Sequence, residues 1–412
     1  MDELLSPDTR LRLDPQVRTR FDAGGNLLVE SGGGAVVDAG PAGLQILSRF
    51  SSPAALGEVV ADLEQLFDDS GDLVAAMGVV KLLADAGALV STREPGRVLG
   101  WADPVEHARM LHDRRRTGDF LAAVAAAVRP GDVVLDIGTG SGVLAVAAAR
   151  AGARHVYAVE ATGIGDVAER VFRANEVDDR VTLVRGWSER IELPERADVL
   201  VSEIIGSEPL EENVLETTLD ARRRLLTPGA RVVPRTLTMV ARPLMVPDAE
   251  AGRRAFGSTA VSRWRRWYDI DFEPLLEVAP RSAVLEPSEG ETVATWPPVG
   301  PPVGLTTIDL GDVGDATVRA SADLHVDQPG RANAVAVTFR AGLHGTITHE
   351  LDPWRWPSSS WATAVWFLPE PLLLPDGDTL RITYDRPSHG TPRLGYAVVR
   401  GERPDHPHQG MA

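Results

Sequence analysis

The 412-residue chain contains no cysteine, which excludes disulfides, zinc–thiolate sites, iron–sulfur clusters and thiol nucleophiles. Lysine occurs once, at Lys81, so arginine carries nearly all of the positive charge. No apolar stretch approaches the roughly 18 residues that a membrane-crossing helix needs, even in the alanine-rich run at 121–128. The opening MDELLSPDTR is acidic and has no apolar core, which points away from a secretory signal and towards the cytoplasm. Basic residues are also in deficit: 42 Lys and Arg against 59 Asp and Glu leave a formal net charge of −17. An acidic surface repels phosphate backbones, so no nucleic acid and no membrane is expected as partner.

What is present reads as three segments and a short tail. Residues 1–98 start with strand-like runs at 17–21, 26–30 and 34–37, parted by glycine turns. Helical stripes follow: Leu56, Val59, Val60, Leu63 and Phe67 after Ser52-Pro53, then Leu73, Met77, Val80 and Ala84, stopped by Gly87. Glu94-Pro95-Gly96 reads as a linker. Residues 99–242 alternate helices with strands at 133–137, 155–160, 181–184 and 197–202, which implies a parallel sheet covered on both faces. In residues 243–405, Val335, Val337 and Phe339, and again Leu380, Ile382 and Tyr384, alternate with smaller or polar residues. Such strands predict an antiparallel sandwich or barrel. The tail 406–412 is expected to be disordered. The fold class is therefore α/β: a Rossmann-like sheet followed by an antiparallel β-barrel, with a small winged-helix-like α+β domain in front.

The sharpest motif is Val133-Val134-Leu135-Asp136-Ile137-Gly138-Thr139-Gly140-Ser141-Gly142, a strand entering a glycine turn. Gly138, Gly140 and Gly142 allow a tight turn and close approach of a ligand. A second strand ends in Glu160, where a carboxylate can accept from paired ribose hydroxyls. A dinucleotide site or a purely structural turn also fits these glycines. Asp136 favours a cationic ligand over pyrophosphate, and S-adenosyl-L-methionine carries both a sulfonium and an ammonium.

His107-Ala108-Arg109-Met110-Leu111-His112-Asp113-Arg114-Arg115-Arg116-Thr117 resembles the helix that precedes the nucleotide fold in protein arginine methyltransferases. The likeness covers about 107–242 well and the later barrel weakly. It implies that Arg116 pairs with the methionine carboxylate, that Met110 lies near the reacting sulfur and that Glu160 holds the ribose. Glu189, in Gly186-Trp187-Ser188-Glu189, would accept from the adenine amino group. Residues 202–213 resemble the same family's double-glutamate loop, with Glu203 and Glu212 at the matching spacing and Glu208 and Glu211 expected as solvated acids. Twin carboxylates suit methylation of a cationic nitrogen: they neutralise it, orient it and take the proton that must leave. The chain departs from the family at Ser359-Ser360-Trp361, where a Thr-His-Trp loop is usual, and at Ile205 and Ser207. These departures leave room for a smaller aliphatic amine in place of a planar guanidinium.

The first segment resembles a second family, the peptide-recognition domains of the pyrroloquinoline-quinone chaperone type. That resemblance implies a leader peptide added as a strand to a sheet edge. Together the two point to an S-adenosylmethionine-dependent N-methyltransferase acting on an amine of a leader-guided ribosomal precursor peptide, of the daptide type at the narrowest. Methylation of arginine in a protein is the alternative within enzymes, and a non-catalytic regulator that binds the cofactor is the alternative outside them. Residues 247–275, with Arg263-Trp264-Arg265-Arg266-Trp267-Tyr268-Asp269, are expected to form a homodimer arm or else a barrel strand.

Overall fold

The computed structural model describes residues 10–14, 17–31, 35–50, 54–64, 70–91, 101–279, 281–327, 330–375 and 378–400. Ser52-Pro53, Phe67, the 94–96 linker and the 406–412 tail lie outside these. The chain divides into two compact units, Met1–Ala102 and Asp103–Ala412. No described helix is long and apolar enough to cross a membrane.

In the first unit β1 (Arg10–Leu13) pairs antiparallel with β5 (Ala54–Ala55) and β6 (Leu89–Ser91). A meander of β2 (Arg18–Phe21), β3 (Leu27–Glu30) and β4 (Val36–Asp38) matches the three strand-like runs of the sequence. Its first turn is built by Asp22, whose carboxylate accepts from the amides of Gly24 and Asn26, both at 2.8 Å. Helices α1 (Gly43–Ser48), α2 (Leu56–Glu64) and α3 (Ser70–Asp85) bury Ile46, Leu56, Val59, Leu63, Val80 and Leu83 against Leu27 and Val29. Gly87 closes α3 in the left-handed conformation, φ +74°. The sheet around β1 has strands of two to four residues, too few for an alternation to be visible.

The second unit starts with two helices where the sequence suggests one: α4 (Pro104–His112) and α5 (Arg114–Ala127). Asp113 divides them. It leaves helical geometry and its carboxylate accepts from the Arg116 amide at 2.9 Å, capping α5. A five-stranded, wholly parallel sheet follows, in the order β11-β10-β7-β8-β9. Its strands are β7 (Val133–Ile137), β8 (His155–Glu160), β9 (Val181–Arg185), β10 (Ala197–Ser202) and β11 (Leu226–Val233). β7 is buried along its length, as a strand covered on both faces must be. The chain order reverses at β7, between β8 and β10, which is where open α/β sheets bind ligands at the carboxyl ends of their strands.

The remaining strands are antiparallel. β12 (Thr236–Leu244) sits between β14 (Val303–Asp309) and β16 (Gly330–His344), and β18 (Thr363–Leu374) joins β16 to β13 (Val284–Ser288). β17 (Ile347–Glu350) folds back on β16, and β15 (Val318–His325), β19 (Thr379–Arg386) and β20 (Arg393–Val399) form a second sheet. The core of this barrel-like part is continuous with that of the parallel sheet. The stretch at 263–269 is not a barrel strand: most of it lies in the helix Ser258–Tyr268, which leaves Trp267 and Tyr268 61% and 59% exposed.

Candidate active site

Strand register brings the first three elements of the site together. Ile137 pairs with Val159 on one side and with Ser202 on the other, so Gly138, Glu160 and Glu203 leave the sheet side by side. Ser202 Oγ donates to the Ile137 carbonyl at 3.0 Å and fixes that edge. Gly138, Gly140 and Gly142 adopt φ of +75°, +54° and +89°, which L side chains rarely tolerate. Space requires them too: a Cβ on Gly138 would lie 2.8 Å from Ile204 Cγ2, and one on Gly140 2.8 Å from His107 Cε1. His107, on α4, thus covers the turn.

Glu160 is buried; its Oε2 accepts from the Gly140 amide at 3.0 Å and its Oε1 from the Thr162 amide at 2.9 Å. Asp136 is buried, 1% exposed, with Oδ2 accepting from Thr139 Oγ1 at 2.6 Å. Burial pushes its carboxyl up to about 7, against the Thr139 hydrogen bond and helped by the charge of Glu160. Among the described residues, Asp136 Oδ1 has no hydrogen-bond partner. Met110, on α4, is half-buried, and its carbonyl accepts from Thr117 Oγ1 at 3.3 Å. Glu189 is exposed on the 3₁₀ turn Ser188–Arg190, which follows Gly186.

Arg116 and Glu203 meet in an ion pair. The guanidinium also faces the Trp361 ring, 5.0 Å from its centre. Burial holds Arg116 down to about 10, and the charges of Asp113 and Glu212 oppose that shift, so both loop acids, Glu203 and Glu212, act on one cation. Trp361 donates its indole N–H to the Ile205 carbonyl at 2.7 Å, tying the barrel to the loop that carries those acids. Asp113 draws in the other side of the barrel loop, accepting from the Ser360 amide at 2.9 Å and from both the Ser359 and Ser360 hydroxyls at 3.3 Å. Burial raises its pKa, but the amides of Arg116 and Ser360 outweigh that and hold the carboxyl below its ordinary value. Beside Trp361 lies His349, buried, with Nδ1 on Asp119 at 2.9 Å; burial lowers its pKa.

Glu208 is not a solvated acid. It is 0% exposed, and burial pushes it up to about 7 against hydrogen bonds from Tyr384 and Leu210. The loop turns inward there because Tyr384 reaches its carboxylate from β19, where Leu380, Ile382, Tyr384 and Arg386 share one buried face. Arg386 pairs with Glu216 of the helix Val214–Arg224 at 2.6 Å. Sequence reasoning missed this group, although one signal was there: the apolar alternation of β19 continues in phase onto an arginine.

The chain is similar in sequence and fold to known proteins. The family described as ribosomal protein L11 methyltransferase (PrmA) matches residues 116–233. A probable protein arginine N-methyltransferase 6 of Arabidopsis thaliana is 35% identical over 219 residues, 52% of this chain and 49% of that protein. A probable histone-arginine methyltransferase CARM1 of Oryza sativa subsp. indica is 45% identical over 130 residues, 31% of this chain and 25% of that protein. The chain spans about half the length of the first of these and a quarter of the second. Among solved structures, the PRMT1 enzyme–prozyme complex of Trypanosoma brucei superposes with a TM-score of 0.59 at 22% identity, over 73% of this chain and 100% of that one. Protein arginine methyltransferase 10 of Arabidopsis thaliana gives 0.58 at 24% identity, over 73% and 99%.

The second unit carries the arginine methyltransferase fold.

In that methyltransferase fold, Gly138, Glu160 and Glu203 follow the ends of neighbouring strands and Arg116 pairs with Glu203, whereas Asp136 is buried and Glu189 exposed. Asp113 bonds the barrel loop, and Tyr384 and Arg386 bond the loop that carries Glu203 and Glu212.

Proposed function

We propose that the chain is an S-adenosylmethionine-dependent N-methyltransferase whose acceptor is a cationic nitrogen in a peptide or protein. The observation that carries this reading is the buried ion pair of Glu203 with Arg116, on which the charge of Glu212 also acts, beside a left-handed glycine turn at the sheet's switch point. Orphaned buried atoms fit the cofactor: Arg116 Nε has no partner among the described residues, so a carboxylate can be received there. Glu160 keeps lone pairs for ribose hydroxyls. When bound, S-adenosylmethionine supplies a methyl group on a positively charged sulfur, which leaves as a neutral thioether. The chain's own residues do the rest. Glu203 and Glu212 neutralise the acceptor, aim its nitrogen and take the proton it must lose for its lone pair to bond the methyl carbon. Arg116 balances their charge, and Trp361 holds their loop.

The relatives weigh towards arginine as acceptor. A second reading, an amine of a leader-guided ribosomal precursor peptide of the daptide kind, is favoured by two observations. Ser360 occupies the position expected for histidine and spends itself on Asp113. In the first unit, β2 pairs with β3 alone among the described strands and all four of its residues are exposed, which suits addition of a peptide strand at that edge. Leader capture then raises the local concentration of the attached core peptide. The exposed Trp267, Tyr268 and Ile270 support a homodimer through the Ser258–Tyr268 helix.

Incubation with labelled S-adenosylmethionine, an arginine-rich protein and amine-bearing precursor peptides with and without leader separates these readings by mass spectrometry. Transfer to arginine without a leader supports the first, and leader-dependent transfer to an amine the second. Cofactor binding with no transfer to any of them overturns both.

A further inference from the structure

Three barrel side chains grip the loop that carries the two acids, each at a different point. Trp361 holds Ile205, two residues after Glu203. The Tyr384 hydroxyl donates to Glu208 Oε1 at 2.7 Å, and the other oxygen of that carboxylate receives the Leu210 amide at 3.1 Å. Arg386 Nη2 donates to the Leu210 carbonyl at 3.1 Å and to Asn213 Oδ1 at 3.3 Å, on either side of Glu212. Its Nη1 is spent on Glu216 and on the Ala316 carbonyl at 3.0 Å. Asn213 itself stands at φ +58°, a conformation asparagine accepts better than most residues.

Burying Arg386, Glu216 and Glu208 together costs free energy that well-packed apolar residues would not. What the cluster provides instead is direction. Four of its hydrogen bonds end on Leu210 and Asn213 or connect Leu210 through Glu208 to the barrel. From this we infer that Tyr384 and Arg386 are positioning residues for the proposed N-methyl transfer: they set the place of Glu212 relative to Glu203 through a polar clamp between β19 and the acid loop. The inference rests on the reading of Glu203 and Glu212 as the acceptor-binding acids.

The test uses the full chain and the variants Tyr384→Phe, Arg386→Lys and Arg386→Met. Hydrogen exchange of the 204–213 amides is read alongside thermal melting, S-adenosylmethionine affinity and the pH profile of turnover. We expect Tyr384→Phe to keep cofactor affinity and melting close to wild type while the loop amides exchange faster. Turnover should fall about tenfold or more, as displacement of a catalytic group by a fraction of an ångström does, and the acid limb of its pH profile should move. Arg386→Lys should retain more turnover than Arg386→Met, because an ammonium can keep one of the lost contacts. Unchanged loop exchange, or unchanged turnover and pH profile in folded Tyr384→Phe, overturns the inference. A wild-type chain that binds the cofactor and methylates nothing overturns the functional reading instead, and the clamp's catalytic purpose with it.

Discussion

Arg116 and Glu203 form a nearly buried ion pair, their side chains 12% and 9% exposed. The pair joins the residue expected to receive the cofactor's carboxylate to one expected to receive the acceptor's nitrogen. A cofactor carboxylate and Glu203 then share one guanidinium, which couples the two halves of the site.

Arg116→Met should weaken S-adenosylmethionine binding by about tenfold to a hundredfold, or roughly 1.4–2.7 kcal/mol, because a buried carboxylate left without its partner is strongly penalised. Arg116→Lys keeps the charge but not the planar fork, and its affinity should fall between the two. Calorimetric titration checks this; equal affinities for wild type and Arg116→Met would remove Arg116 from the cofactor site.

Glu203→Gln and Glu212→Gln should each reduce methyl transfer by about a hundredfold or more, within the range for a lost proton acceptor, while cofactor affinity changes only severalfold. Single-turnover measurement with saturating cofactor distinguishes this loss of chemistry from a loss of binding. Transfer at the wild-type rate by both variants would remove the two acids from the chemical step.

Asp136 predicts a pH dependence with a definite sign. Its carboxyl stands at about 7 in the folded chain, against about 3.9 when unfolded. Between these values the folded state holds a proton that the unfolded state has released. Stability from this group therefore falls as pH rises from about 4 to 7, by up to about 1.4 kcal/mol per unit, and is level above 7. Asp136→Asn removes that slope. Glu208, whose pKa is raised the same way, remains in both proteins, so the gap in melting temperature between wild type and Asp136→Asn isolates Asp136. The gap should move in favour of the variant from pH 5 to pH 7; a constant gap would mean that Asp136 is ionised throughout.

Replacing Trp267 and Tyr268 together with alanine should convert a dimer into a monomer in sedimentation velocity while leaving the melting temperature within a few degrees, since both rings are mostly exposed in the single chain. A monomeric wild type would sink the arm proposal.

The sequence made the centre of the site legible because its chemistry is local. Glycines that must adopt positive φ, acids that end strands and a helix bearing Arg116 are all fixed by short stretches of chain. The parallel sheet was equally readable, since β7 is apolar but for Asp136 and β8 is apolar or aromatic between His155 and Glu160. Asp113 was hidden because an acid in a helical run looks solvated, and only the break between α4 and α5 reveals it as a cap. Glu208 misled for a similar reason: its donor, Tyr384, lies 176 positions away, and no local pattern announces a hydrogen bond of that span. The strands β1, β5 and β6 were too short to carry a period.

Asp113 accepts three hydrogen bonds from Ser359 and Ser360 while closing the first turn of α5. That carboxylate is thus one rivet between nucleotide fold and barrel, beside those made by Trp361, Tyr384 and Arg386. Grafting another barrel onto this sheet would have to bring along a loop able to dock on that rivet, or the helix presenting Arg116 would start from a frayed end.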